Sequence, residues 1–275
     1  MGIDMAEKSF RLRLDVLDMV MRAKAGHIGG AFSVLDILLV LYGQTMNISP
    51  ETVSDPDRDR FVLSKGHAAE ALYAVLADRG FIQKQDLERF FVFGSDLPGH
   101  PTNEINGVEV CTGALGHGLS VGVGMALAAR LDNRAYRTYV VLGDGELAEG
   151  SNWEAAMAAS HYKLDNLCAV VDRNGLQISG TTENVMSLET LSERFCAFGW
   201  TVVQADGHDH AGLQRAFETA RRGKGRPCAV IAATIKGKGV SFMENTASWH
   251  HRIPTEEEYK AAVDELKRGV KEARG

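Results

Sequence analysis

Three places in the 275-residue chain put metal-binding or proton-transferring side chains directly after a short apolar run. Thr138–Leu142 (TYVVL) runs into Gly143-Asp144-Gly145-Glu146, and Leu167–Val171 (LCAVV) into Asp172-Arg173-Asn174-Gly175. Cys228–Thr234 (CAVIAAT) leads into Ile235-Lys236-Gly237-Lys238-Gly239. The two glycines around Asp144 permit a tight turn and a close approach of backbone to a ligand. Asp144 offers a hard oxygen suited to Mg²⁺ or Ca²⁺, and Asn174, 30 residues on (174 − 144), offers a second through its amide carbonyl. Mg²⁺ keeps few protein ligands and completes its octahedron with phosphate oxygens and water. Carboxylate, amide and one carbonyl together therefore predict a metal-bridged diphosphate. A Gly-Asp-Gly turn alone is usually only a turn; the Asn after a second apolar run is what gives it weight.

The elements around these turns follow from periodicity. The runs TYVVL, LCAVV, Thr201–Gln204 (TVVQ) and Cys228–Ala233 (CAVIAA) read as buried strands. Helix-like stretches separate them at Asn152–Lys163, Leu188–Phe198 and Ala211–Arg222. Continuous apolar strands alternating with helices predict an α/β fold, a parallel sheet with helices on both faces. Ligands in such sheets bind outside the carboxyl ends of the strands, so the three turns deliver carboxylate, amide and ammonium to one edge. The first third is helical in pattern: Phe10–Lys24 sets Leu14, Leu17, Val20 and Met21 on one face, and Ser33 reads as the N-cap of a helix through Leu41. The chain is expected to be one domain over residues 1–275, closed by an amphipathic helix from about Thr255.

Composition narrows the function classes. With 36 acidic against 30 basic residues the formal charge is −6, and no dense basic run appears, so no nucleic-acid partner is expected. Arg221–Arg226 (RRGKGR) reads as a solvated helix end. The best apolar run, Ser33–Tyr42, is about half of the ~18 residues a membrane span needs and carries Asp36, so no membrane association is expected either. The N-terminus lacks a basic and an apolar leader region. Cys111, Cys168, Cys196 and Cys228 are scattered without a C-x-x-C and read as reduced core residues of a cytoplasmic protein.

At this point the sequence resembles the thiamine-diphosphate enzymes and, within them, the transketolases. Gly143–Gly180 (GDGELAEGSNWEAAMAASHYKLDNLCAVVDRNGLQISG) is similar to their cofactor motif through its whole length. Further transketolase-like segments are AGHIGG (Ala25–Gly30), LSKGHAAEALY (Leu63–Tyr73), PGHP (Pro98–Pro101), TGALGHGLS (Thr112–Ser120) and IKGKGVSFMENTASWHH (Ile235–His251). They stand in family order and cover nearly the entire chain. The fold implied is the diphosphate-binding (PP) domain of these enzymes.

The resemblance implies thiamine diphosphate and Mg²⁺ (or Ca²⁺) as cofactors, with Asp144, Asn174 and the backbone carbonyl of Leu176 holding the metal. It implies that Gly30, Gly113, Ala114, Leu115, Gly145, His67, Lys236 and His250 contact the cofactor. His27, His67, His100 and His250 would face the reacting carbon, bind ketose hydroxyls and move protons, work that suits imidazole near neutral pH. His251 stands where the family pattern has Gly, and the role is given to His250. His117, His161, His208 and His210 read as surface or structural. Glu149 and Glu154 resemble acids that link paired cofactor sites, against the plain alternative of acids favoured in a helix's first turn. Gly116-His117-Gly118 with Gly122 and Gly124 reads as small residues for close helix packing rather than a dinucleotide loop.

Family members of full length run to about twice this chain, in three domains, and the segments here match the first. The start Met and polar end lead us to expect a split enzyme. Its partner would be a C-terminal transketolase subunit carrying the pyrimidine-binding domain, with two such pairs assembled by two-fold symmetry as a heterotetramer. The expected reaction passes a two-carbon ketol unit from a ketose (phosphate) to an aldose (phosphate). The alternatives are another thiamine-diphosphate ketol or acyl transferase of the deoxyxylulose-phosphate-synthase kind, or a non-catalytic scaffold subunit. A histidine-based metallohydrolase lacks an H-E-x-x-H or comparable spacing.

Overall fold

The computed structural model describes residues 4–275. Residues 1–3, where the N-terminus was read as carrying no leader and where the expected domain begins, lie outside the described residues. Five strands form a sheet: β1 (Arg60–Leu63), β2 (Thr138–Gly143), β3 (Leu167–Arg173), β6 (Thr201–Asp206) and β7 (Cys228–Ala233). Their order is β1-β2-β3-β7-β6 and every pairing is parallel. A two-stranded hairpin, β4 (Leu176–Gln177) with β5 (Gly180–Thr181), stands apart from it. The helices are α1 (Met5–Ala23), α2 (Ile28–Val40), α3 (Ala69–Asp78), α4 (Gly118–Leu131), α5 (Gly150–His161) and the short α6 (Thr182–Val185). After these come α7 (Leu191–Ala197), α8 (His210–Arg222) and α9 (Glu256–Glu272).

Alternation along each strand splits the core in two, as the period of two requires. Tyr139, Val141, Cys168, Val170 and Val230 face a larger cluster built with α1, α2, α3, α8 and α9. Val140, Leu142, Ala169, Val171 and Ile231 face a smaller one built with α4, α5 and α7. Both faces are thus covered, which explains strands that read as unbroken apolar runs. The smaller layer sits close to the sheet because it is built on small residues. A Cβ at Gly118 would meet Ser64, and one at Gly122 would meet Val140, so these two glycines serve the packing of α4, whereas a Cβ at Gly124 would meet nothing within 4 Å.

Several boundaries differ from the sequence reading, each for a physical reason. α1 begins at Met5 rather than Phe10, because Ser9 and Arg13 point into a buried polar cluster that breaks the apolar stripe without breaking the helix. Ser33 is not an N-cap but lies inside α2, where its hydroxyl donates to the Asp172 carboxylate at 2.7 Å. The apolar stretch is also longer than Ser33–Tyr42. Ile28–Thr45 is long and apolar enough to cross a membrane by length and composition, but 89% of it is buried inside the fold, where it serves as the core helix and its terminal π-turn. β1 escaped the reading because RFVL follows a loop rich in Asp and Arg. Cys168 and Cys228 are buried as expected, whereas Cys111 and Cys196 are exposed. The end of α8 that carries Arg221 and Arg222 is solvated.

Candidate active site

The carboxyl ends of β1, β2, β3 and β7 open on a cavity of about 370 Å³. The β1 end supplies Lys65 and His67, the β2 end Gly143–Glu146, the β3 end Asn174, and the β7 end Lys236. His27 comes from the start of α2, Gly113 and Leu115 from the loop before α4, and His250 from a single turn at Ala247–His250. The β4–β5 hairpin closes one side with Leu176, Gln177 and Ile178.

At the end nearest β2 and β3 the donors are hard oxygens. Asp144 Oδ1 accepts from Gly145 N at 2.8 Å, and Oδ2 accepts from Gly175 N at 2.6 Å and from Arg173 Nη1 at 3.1 Å. Burial, followed by the neighbouring Asp172 charge, pushes the Asp144 carboxyl above its ordinary range. A bound cation would reverse that shift. Asn174 is oriented by its Oδ1 accepting from Leu176 N at 3.0 Å and its Nδ2 donating to Ser33 Oγ at 3.4 Å. Asp172, the register partner of Gly143, is already compensated. Lys65 Nζ donates to it at 2.5 Å, and Ser33 and Thr234 donate as well. Burial raises Asp172, but the Lys65 charge and these donors together hold it below its ordinary value.

The other end is a histidine cluster. The His27 ring centroid lies 5.4 Å from that of His67, 5.8 Å from His100, 5.6 Å from His250 and 4.7 Å from His251. Burial first, then the neighbouring imidazoles and lysines, lowers His27 to about 4 and His250, where Lys236 leads the neighbours, to about 3. His67 is held well below its ordinary value by burial and Lys65, and burial lowers His100 too. These rings are neutral at pH 7, each with one donor and one acceptor nitrogen. Lys236 Nζ lies 3.0 Å from His250 Nδ1. An ammonium can only donate, so Nδ1 accepts and His250 carries its proton on Nε2. Lys236 is itself lowered to about 8 by burial and the Lys65 charge.

The sequence-selected residues separate as follows. His27, His67, Gly113, Leu115, Asp144, Gly145, Asn174, Leu176, Lys236 and His250 line the cavity together. Gly30, Ala114 and His100 do not line it. Gly30 sits behind His67, where a Cβ would lie 3.5 Å from Nε2, and His100 stands at the exposed edge against Gly113. Glu149 and Glu154 are exposed and do not line the cavity. His208 and His210, read as surface or structural, are partly buried and bonded to Asp36 at 2.7 and 2.9 Å.

Three buried acids were missed by sequence reasoning. Glu146 accepts from Gly143 N, Gly116 N and Ser64 Oγ, tying three site loops together. Glu70 accepts from His27 N at 2.7 Å and is raised to about 7 by burial. Gly26 is required beside it, since its φ of +139° and a Cβ only 2.5 Å from Glu70 Oε1 exclude a side chain. Asp172 is the third. Their one signal is an acid inside each of GDGE, GHAAE and VVDRN, where burial is invisible without the fold.

The residues present fit an anionic, metal-bridged ligand. Oxygen donors lie at one end and the Lys236 ammonium at the other, and the Gln177 amide nitrogen is buried without a partner beside Gly145. Residues 6–270 match the family model described as "Transketolase, thiamine diphosphate binding domain". The chain is 52% identical over 259 residues to one subunit of the apulose-4-phosphate transketolase of Phocaeicola vulgatus, covering 94% of this chain and 92% of that subunit. It is 41% identical to the 6-deoxy-6-sulfo-D-fructose transketolase subunit SqwG of a Clostridium species, covering 97% of each. Human transketolase is 42% identical over 241 residues, and the match spans only 38% of that protein. A solved transketolase from Pichia stipitis superposes with TM-score 0.89 at 31% identity, covering 100% of this chain and 45% of that one.

Proposed function

The chain belongs to the transketolase family, and from that premise we propose that it is the diphosphate-binding subunit of a two-chain, thiamine-diphosphate- and Mg²⁺-dependent transketolase. In this reading a separate C-terminal subunit brings the pyrimidine-binding domain, and the complex moves a two-carbon ketol unit from a ketose phosphate to an aldose phosphate. The observation that carries it is the single cavity holding Asp144, Asn174, Lys236 and the neutral imidazoles of His27, His67 and His250. The lengths agree: the match spans 92% of the Phocaeicola subunit but under half of the undivided transketolases. The cavity rim exposes Leu115 and Ile178, with Val121 and Met157 on the neighbouring helices, an apolar margin suited to a second chain.

Thiamine diphosphate, when bound, supplies the carbanion and the electron sink for carbon–carbon cleavage. The chain's own residues would do the rest. Asp144, Asn174 and the Leu176 carbonyl would hold the metal. Lys236 would neutralise phosphate charge, and the Gln177 amide would donate to a phosphate oxygen. The Nε2–H of His250 would hydrogen-bond the substrate's carbonyl oxygen, while His27, positioned by Glu70, would hold or release a proton at a ketose hydroxyl. His67 and His100 would bind further hydroxyls. The relatives' names make apulose 4-phosphate the first donor to assay, and 6-deoxy-6-sulfo-D-fructose the second. We place the complex in the cytoplasm as a two-fold assembly of subunit pairs.

The test is calorimetric titration of thiamine diphosphate into the chain with Mg²⁺, then with EDTA, each with and without the candidate partner. Metal-dependent binding that tightens with the partner, together with ketol transfer by the pair alone, is the expected result. Ketol transfer at ordinary enzyme rates by the isolated chain would overturn the split-site reading. No binding under any condition would overturn the catalytic one.

A further inference from the structure

Outside the cavity lining lies a buried polar cluster that the proposed mechanism does not use. Asp36 of α2 is its centre. Arg13 Nη2 donates to Oδ2 at 2.7 Å, Ser9 Oγ donates to Oδ1 at 2.5 Å, and His210 Nε2 donates to Oδ1 at 2.9 Å. His208, in the turn between β6 and α8, adds Nδ1 to Oδ2 at 2.7 Å. Arg13 also donates to the Phe32 carbonyl at 2.8 Å, which fixes its guanidinium against α2. Burial penalises the Asp36 charge, but Arg13 and the two histidines outweigh that and keep it a carboxylate.

The second nitrogen of His208 leaves the cluster and reaches the site. Ile235 N lies 2.9 Å from His208 Nε2. A backbone N–H can only donate, so Nε2 accepts, and the ring must carry its one proton on Nδ1, toward Asp36. β7 ends at Ala233, and Thr234 N is the last to find a carbonyl on the neighbouring strand, that of Arg173. Ile235 N is the first amide past the ladder, and the imidazole takes the place of the missing strand carbonyl. The next residue is Lys236. Its peptide is held on the far side by Gly237 N donating to Gly29 O at 3.0 Å and Asn245 N donating to Lys236 O at 2.9 Å.

We propose that His208 is a positioning residue for Lys236. Locked as the neutral Nδ1–H tautomer by the Asp36 carboxylate, it anchors the Ile235–Lys236 peptide so that the lysine ammonium is presented to the cavity. The role of Lys236 toward a diphosphate rests on the functional reading above; the anchor itself does not. The histidine is chosen by its two-sided geometry. Asparagine can reach Asp36 but not Ile235, whereas glutamine can place an oxygen where Nε2 stands. A residue that merely fills space would be replaced equally well by phenylalanine.

The experiment uses the full chain and the variants His208→Gln, His208→Asn and His208→Phe, with His161→Asn on the exposed end of α5 as control. Long-range proton–nitrogen correlation spectra of the wild type are expected to show His208 protonated at Nδ1 with Nε2 as acceptor at pH 7.5. Hydrogen exchange at Ile235 is expected to rise about 10-fold in the Asn and Phe variants and to stay within about 3-fold in Gln, the loss of one buried hydrogen bond. The pH dependence of Lys236 reductive methylation, read by mass spectrometry, is expected to move from about 8 toward the ordinary 10.5 in Asn and Phe but not in Gln. Affinity for thiamine diphosphate with Mg²⁺ should fall about 10-fold in the same two variants, as for other groups that act one shell behind a ligand site. An Nε2–H tautomer or an imidazolium in the wild type, or equal exchange in Gln and Phe, would overturn the anchor. If no protein binds thiamine diphosphate even with the candidate partner present, while tautomer, exchange and methylation behave as expected, the anchor stands and the functional reading falls.

Discussion

At one end of the cavity Asp144 keeps a carboxylate buried beside a second one, and at the other His27, His67 and His250 keep half-buried imidazoles beside two lysines. Both ends hold ionisable groups in a setting that disfavours their charge, but for opposite uses. Burial, then the neighbouring Asp172 charge, raises the carboxyl of Asp144, while Lys65, Ser33 and Thr234 all converge on Asp172. That leaves a buried carboxylate, held by Arg173 and two backbone N–H groups, next to an oriented amide, a site that a divalent cation would complete in the proposed function. The histidines are kept uncharged, so each has a donor and an acceptor nitrogen that could meet neutral hydroxyls in the proposed function. One end is built to gain a charge from outside, and the other to work without one.

The largest effect should come from removing the charge at the oxygen end. Asp144→Asn keeps the shape and an acceptor but gives up the anion, so Mg²⁺-dependent affinity for thiamine diphosphate should fall on the order of 10²–10³-fold, more than replacing a second-layer partner costs. Calorimetric titration reads this directly. Arg173 retains Glu183 and Glu189 as partners, so the fold should survive. At the histidine end the split should be reversed. His27→Ala should lower turnover about 100-fold, the ordinary scale of a lost general acid or base, with cofactor affinity nearly unchanged. A loss of affinity with turnover preserved would move His27 into the binding set and erase the contrast.

Much of this contrast was legible before the fold was known. The strand-end turns announced themselves because Gly143-Asp144-Gly145 and Asn174 follow unmistakable apolar runs, and the histidines because they sit in recognisable segments. What stayed hidden was the layer behind them. Glu70, Glu146, Asp172 and the Asp36–His208 pair are ordinary acids and histidines in sequence; only packing shows that the acids are buried and that each group is committed to a backbone N–H, a lysine or an arginine. Ser33 illustrates why. Beside an apolar run it mimics a helix cap, and its real partner is 139 residues away. β1 was hidden for a related reason, since four residues carry too little periodicity to stand out from the charged loop before them.

The two ends should also answer pH differently. Lys236 loses its proton near pH 8, below the ordinary 10.5, so diphosphate affinity should decline as pH rises through that value, by about 10-fold for one charge-assisted contact. His27 and His250 titrate near 4 and 3 in the folded chain against 6.5 unfolded. The unfolded chain therefore binds more protons between those values, so their contribution to stability is full above pH 6.5 and is lost as pH falls below it. Melting temperature of the ligand-free chain, followed from pH 7.5 down to 5, should fall accordingly. A flat profile would mean that these rings are not held neutral.

The smallest effect should fall on the neighbour that comes closest to His27 and yet lies outside the cavity. His251 has the shortest ring separation in the cluster, 4.7 Å against 5.6 Å for His250. Proximity to another imidazole is not proximity to a substrate, however. His251 is exposed, whereas His250 lines the cavity with its Nδ1 held by Lys236 and its Nε2–H left to donate. Substitution of His251 by Asn removes an exposed ring that, after burial, helps hold His27 below its ordinary value. Turnover should change less than about 3-fold, as for a surface position. The same substitution at His250 removes the fixed donor and should cost about 100-fold, within the range for a lost proton-transfer or hydrogen-bonding group. Steady-state rates of the two variants with a common ketose donor decide it. If His251→Asn proves the more damaging, the histidine end extends one residue further toward the cavity mouth, where the partner chain would meet it.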